Sequence, residues 1–203
     1  IRESVAAACR IARHTSEDPA AGLADPDLLA SDVPDLDLYH PWSLDADRAA
    51  DIARDCEDAA RAADPRIGNS EGATLYTQGS GFVYGNSNGF VGGYPSSRHS
   101  LSCAVIAQQD EEMQRDYWYD SSRLPAELAE PAAIGRRAAE RTLARLGGRR
   151  LGTRECPVLF RADVAPSLLR SLFGAIRGHA VYRKSTFLLD RVGTQVFPDW
   201  VQI

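Results

Sequence analysis

His99-Ser100-Leu101-Ser102-Cys103-Ala104-Val105-Ile106-Ala107-Gln108 decides the fold. Leu101, Cys103, Val105 and Ala107 alternate with Ser102, Ala104, Ile106 and Gln108, and a period of two means a strand with one face turned to a core. The same reading extends outward. Residues 72–78, 81–86, 99–110 and 112–119 read as strands, with Gly79-Ser80 as a short connection and Asn86-Ser87-Asn88-Gly89 as a turn of residues that tolerate positive φ. Asn69-Ser70-Glu71-Gly72 resembles a further turn. The run Gln114-Arg115-Asp116-Tyr117-Trp118-Tyr119 mixes charge with aromatic rings, as suits either a ligand-facing strand or an edge strand covered by its neighbours.

Helical signals flank the strands. Residues 44–63 carry Ala49, Ile52, Ala53, Cys56, Ala60 and Ala63 on one stripe, with Ser43 as N-cap and Asp45 and Asp47 at the positive end of the dipole. Asp64-Pro65 ends that helix. Residues 125–147 place Ile134, Ala138, Leu143 and Leu146 on one side, with Pro125 and Pro131 at first helical positions and Gly147-Gly148 at the close. A strand is expected over 155–162 and a helix over 166–177, with Gly178 as its C-cap. The chain opens on the end of a helix over 4–13. A long segment then follows, punctuated by Asp18-Pro19, Asp25-Pro26, Val33-Pro34 and His40-Pro41, and it reads as a structured loop. Strands grouped together between helices make an α+β fold, an antiparallel sheet with flanking helices.

The chain has 203 residues, 44% hydrophobic and 25% charged, as expected of a globular protein. A formal net charge of -5 argues against nucleic-acid or anionic-membrane binding, since phosphate recognition needs a basic face. Cys9, Cys56, Cys103 and Cys156 form no CxxC pair and no disulfide framework, so reduced thiols and a cytoplasmic location are the expectation. Cys56, on its helical stripe, reads as a core thiol. No run is long and apolar enough to span a bilayer. The first residue is Ile, and Val201-Gln202-Ile203 ends the chain in a strand-like run, as expected of an internal portion of a longer protein.

The usual chemistries find little support. No HExxH or HExxxH occurs, and His14, His40, His99 and His179 are scattered. His99 and Cys103 share a strand face but stand roughly 13 Å apart, too far for a thiolate–imidazole pair. Gly79-Ser80-Gly81 with Gly85 is off the dinucleotide spacing and leads into a strand rather than a helix. Glu71 could serve as acid or base, yet no second group is paired with it by the sequence.

Several long motifs nonetheless resemble one family. They are Thr15-Ser16-Glu17-Asp18-Pro19, Asp35-Leu36-Asp37-Leu38-Tyr39, Gly85-Asn86-Ser87-Asn88-Gly89-Phe90, Gly92-Gly93-Tyr94-Pro95-Ser96-Ser97-Arg98-His99-Ser100, Gln114 to Tyr119, and Tyr182-Arg183-Lys184-Ser185-Thr186-Phe187-Leu188-Leu189-Asp190. The chain resembles PmbA/TldE, the metal-free side of the TldD–TldE peptidases, over essentially its whole length. The resemblance implies that residues 1–150 end an N-terminal and middle α+β domain, and that residues 151–203 begin a β-rich C-terminal domain. It also implies a heterodimer with a TldD-like catalytic chain that cleaves unfolded polypeptide, with a homodimer in isolation as a further expectation. Family roles include leader-peptide maturation, antitoxin breakdown and an indirect link to DNA gyrase.

The catalytic relative carries zinc in an HExxxH helix followed by a basic pair. Setting Arg183-Lys184 on that pair puts the two His positions on Arg170 and Ala175, and the Glu position on Ser171. The resemblance therefore implies no metal and no catalytic residue in this chain, with zinc in the partner. Tyr182, Arg183 and Lys184 remain candidates for polypeptide contact, against a reading as ordinary surface charge. The glycine-rich 85–93 segment could hold an extended peptide by backbone pairing, or be a turn with no ligand. Two other functions stay open: an autonomous metallopeptidase with ligands outside this stretch, and a gyrase-linked interaction protein.

Overall fold

A computed structural model describes residues 1–18 and 21–201. Pro19 of the Asp18-Pro19 break, and Gln202 and Ile203 of the terminal strand-like run, lie outside the described residues. The chain separates into two compact units, Ile1–Arg149 and Arg150–Ile203.

The first unit is built on three antiparallel strands, β1 (Ile67–Gly85), β2 (Val91–Gln109) and β3 (Glu112–Ser122), in the order β1-β2-β3. The expected Gly79-Ser80 connection does not exist. Both residues stay extended and pair with Ser97 and Ser96, so the two short strands expected here are one. The turn lies instead at 86–89, where Asn86 Oδ1 accepts from the Asn88 and Phe90 amides and Gly89 takes φ 86°. Asn69–Gly72 is likewise no turn. It sits within β1, where the register shifts between Ile67 and Asn69 and again between Ser70 and Gly72, as at a bulge.

One sheet face carries Leu101, Cys103, Val105 and Ala107, as the alternation requires. Two helices cover it, α2 (Ala46–Arg61) with Ile52, Cys56 and Ala60, and α3 (Pro131–Leu143) with Ile134, Ala138 and Ala139. Asp45, not Ser43, caps α2: its Oδ1 accepts from the Arg48 amide at 2.7 Å. Pro131 takes the first position of α3, and Pro125 opens a short 3₁₀ turn before it. α3 stops at Leu143, ahead of the expected glycine pair, although Gly147 does take φ 73°. Cys56 is wholly buried. Its hydrogen bond with the Cys103 thiol, and then burial itself, push its pKa up, so it stays a protonated core thiol. Among the described residues no helix covers the opposite sheet face, and Tyr76, Tyr117 and Tyr119 there are half exposed.

The proline-punctuated segment is tied to β2. The Ser97 amide donates to the Leu38 carbonyl at 2.9 Å, and the His40 amide donates to Ser97 Oγ at 2.8 Å. Buried His99 completes the tie: Nε2 donates to the His40 carbonyl at 2.9 Å, Nδ1 accepts from Thr77 Oγ1 at 2.7 Å, and Trp42 stands edge-on at 5.6 Å. A carbonyl can only accept, so Nε2 carries a hydrogen, and in the neutral ring Nδ1 is then the acceptor. Ahead of these elements, α1 (Arg2–Ala12) buries no residue.

The second unit contains α4 (Pro166–Ala175) and α5 (Gly178–Tyr182). The strand expected over 155–162 is absent: Pro157 gives up a donor, and no strand among the unit's described residues offers a partner. Gly178 opens α5 instead of ending α4. Among the described residues, no helix is long and apolar enough to cross a membrane.

Candidate functional site

The α4–α5 corner brings the sequence candidates together. Pro166 starts α4, and Leu172 and Ala175 are its buried positions. Ala175, at the last His position of the expected motif, presents only a methyl group inward. Arg170 points to solvent. The Ser171 hydroxyl donates to the Ser167 carbonyl at 3.1 Å, one turn back. After α5 the chain reverses sharply: the Lys184 amide donates to the Val181 carbonyl at 3.0 Å and the Ser185 amide to the Ala180 carbonyl at 2.9 Å, with Lys184 at φ 54°. That left-handed position, usually glycine, leaves Tyr182, Arg183 and Lys184 adjacent and exposed at one corner.

Zinc is the metal the fold family implies, and these residues do not fit it. A guanidinium stays protonated and has no lone pair to give, Ala175 has no donor atom, and the Ser171 hydroxyl is engaged by the helix backbone. Nor does any group of three or more His, Cys, Asp or Glu stand ready for a metal ion among the described residues.

Elsewhere, Glu71 gains the partner that the sequence could not supply. Arg115 from β3 meets it through two nitrogens, each at 2.5 Å, and this bond holds the Glu71 carboxyl below its usual range. A saturated carboxylate of this kind makes a poor general base. Gln114–Tyr119 is an edge strand with two characters. Trp118 turns inward, with the guanidinium of Arg141 stacked 4.9 Å from its centroid, while Tyr117 and Tyr119 stack on each other on the open face. Sequence reading missed a cleft of about 600 Å³ between residues 33–39 and residues 91–95. Its walls are 50 or more positions apart in the chain; Pro34 in one wall and the Gly92-Gly93 pair with Pro95 in the other were the only local signal.

Comparison with known proteins places these features. The PmbA/TldA metallopeptidase central domain matches residues 39–146, and the C-terminal domain of the same metallopeptidases matches residues 153–203. The fold and its matches thus define a metallopeptidase-family chain. Over all 203 residues, it is 49% identical to the metalloprotease PmbA of Escherichia coli O157:H7, and 46% identical to a PmbA homologue of Haemophilus influenzae. The chain belongs to the PmbA/TldE family. It spans 45% of the length of each of those two relatives. A crystal structure from Thermotoga maritima, described as a candidate modulator of a DNA gyrase, shares the fold with a TM-score of 0.67 over 75% of this chain and 35% of its own, at 24% identity.

Proposed function

We propose that this chain belongs to the non-catalytic subunit of a TldD–TldE-like peptidase that cleaves unfolded polypeptide, with zinc held by a TldD-like partner. The side-chain set of α4 carries the reading: Arg170, Ser171 and Ala175 occupy the three positions where a metal ligand, a base and a second ligand are needed. Peptide hydrolysis at a metal requires lone-pair donors for the ion and a base for its water, and this helix supplies neither. No step of hydrolysis is assigned to this chain. Tyr182, Arg183 and Lys184 present a phenol and two cations at an exposed corner, and these donate well to the carbonyls and terminal carboxylate of a substrate chain.

The test is cleavage of an unfolded peptide with added zinc, using the full-length protein alone and mixed with a TldD-like chain. Cleavage is expected in the mixture only. Arg183→Ala with Lys184→Ala should raise KM by about ten-fold while leaving kcat near its original value, the mark of lost ground-state contact. Chelator-sensitive cleavage by this chain alone overturns the reading in favour of an autonomous enzyme.

A further inference from the structure

Among the described residues β1 pairs with β2 alone, and so forms one edge of the sheet. Its partner reveals which of its backbone groups are free. The Ser97 amide donates to Leu38, away from β1, and Pro95 has no amide hydrogen to give. Ser97 faces Gly79 and Pro95 faces Gly81, so both are non-hydrogen-bonded pairs of the ladder. Gly79 and Gly81 therefore also turn N–H and C=O away from β2. Alternation gives Leu75, Thr77 and Val83 the same orientation, a row of donors and acceptors along the outer edge.

Edge strands are ordinarily blunted by charge or proline. β3, the opposite edge, carries Glu112, Arg115, Asp116 and Asp120. β1 from Gly72 to Gly85 has neither device, and Arg98 is the one fully charged side chain between Gly72 and Gln109 in a chain that is 25% charged. Tyr76, Phe82 and Tyr84 alternate along one face beside this edge, 49%, 54% and 43% exposed.

We propose that the free edge of β1, Leu75 to Val83, docks an extended, uncharged stretch of unfolded polypeptide as a fourth strand. Backbone pairing tolerates many sequences, as a subunit serving unfolded substrates needs, while the alternate side chains of the added strand meet the three aromatic rings. A charged residue there would lose hydration with no counter-charge from β1, a cost that the ring faces offset in part for a cation and not at all for an anion, so neutral and apolar segments are favoured and acidic ones excluded most strongly. The inference rests on the subunit reading above.

The experiment uses full-length protein and a labelled neutral peptide of about ten residues, read by hydrogen exchange and binding anisotropy. Bound peptide is expected to slow exchange at the Leu75, Thr77, Gly79, Gly81 and Val83 amides. N-methylation of alternate peptide amides should weaken binding by about ten-fold or more. Gly81→Pro should do the same, because it removes an outward N–H and no bond to β2, and no atom lies within 4 Å of a Cβ at that position. If Gly81→Pro lowers the melting temperature, Val83→Pro and the N-methylated peptide decide the matter. Binding indifferent to N-methylation overturns the site. So do edge amides already protected without peptide, which would mean that a second copy or another part of the protein covers β1. Cleavage by the two-subunit mixture without edge protection sinks the site and leaves the subunit reading standing; edge protection without cleavage does the reverse.

Discussion

In the first unit Leu101, Cys103, Val105 and Ile134 are 2% exposed or less, held between a sheet face and two helices. In the second, Leu159, Val192 and Trp200 keep 97%, 93% and 82% of their surface. Apolar residues are plentiful in both, so composition does not make the difference. Burial needs a second layer, and α2 and α3 supply one to the sheet. The second unit has helices of 10 and 5 residues and no sheet among its described residues, too little to enclose a core. The second unit is thus a region whose apolar residues have no second layer over them among the described residues. It is also the region matched by the metallopeptidase C-terminal domain.

The contrast can be broken by mutation. Leu101→Ala should destabilise the first unit by about 2–5 kcal/mol in urea unfolding, the usual result of truncating a fully buried leucine. Leu159→Ala should change stability by no more than about 0.5 kcal/mol in the isolated 203-residue chain. An equal loss at both breaks the comparison. A large loss at Leu159 confined to the full-length protein sharpens it, because it assigns the cover to polypeptide outside this stretch. Gly135→Ala tests the layer itself. A Cβ there would fall well inside contact with the Cys56 carbonyl oxygen and 3.0 Å from the Ala60 nitrogen, and backbone atoms cannot swing aside. α2 and α3 would have to separate, at about 1–3 kcal/mol, with Cys56 gaining reactivity toward thiol reagents as the readout.

Legibility in the sequence followed the same divide. β2 and α2 were readable because burial on one side imposes a period, two at Leu101–Ala107 and a helical stripe at Ile52–Ala60. The Gly79-Ser80 break was misread because a local glycine signals a turn only when no neighbouring strand holds it extended, and the register with Ser96 and Ser97 is non-local. Ser43 lost the cap to Asp45, two positions on, because the helix begins at Ala46 and the Asp45 carboxylate accepts from the Arg48 amide. In the second unit the apolar run at Val158–Phe160 resembled a strand, yet a strand needs a partner. The site candidates Arg170, Ser171 and Ala175 could be named only through the family motif; no periodicity marks a position as a ligand site. The tie of His99 to His40 and Thr77 had no sequence signal, because its members are drawn from three separated segments.

The smallest expected effect concerns how the first unit's helix layer joins its sheet. Asp64, between α2 and β1, accepts from the Arg66 side chain and amide, each at 2.9 Å, and this holds its pKa at about 2. Because the folded value lies below the unfolded one of about 3.9, the contribution is present at neutral pH. It is lost as pH falls from about 4 through 2, when the carboxyl takes up a proton in the folded state as well. Exposure to solvent keeps the effect small. Asp64→Asn should flatten the acid limb of the melting curve over that window and leave it unchanged above pH 5. The same flattening in a chain truncated after Arg149 places the effect in the unit that has a core. Its loss on truncation would mean that the acid limb reports the second unit, and that the two do not melt independently.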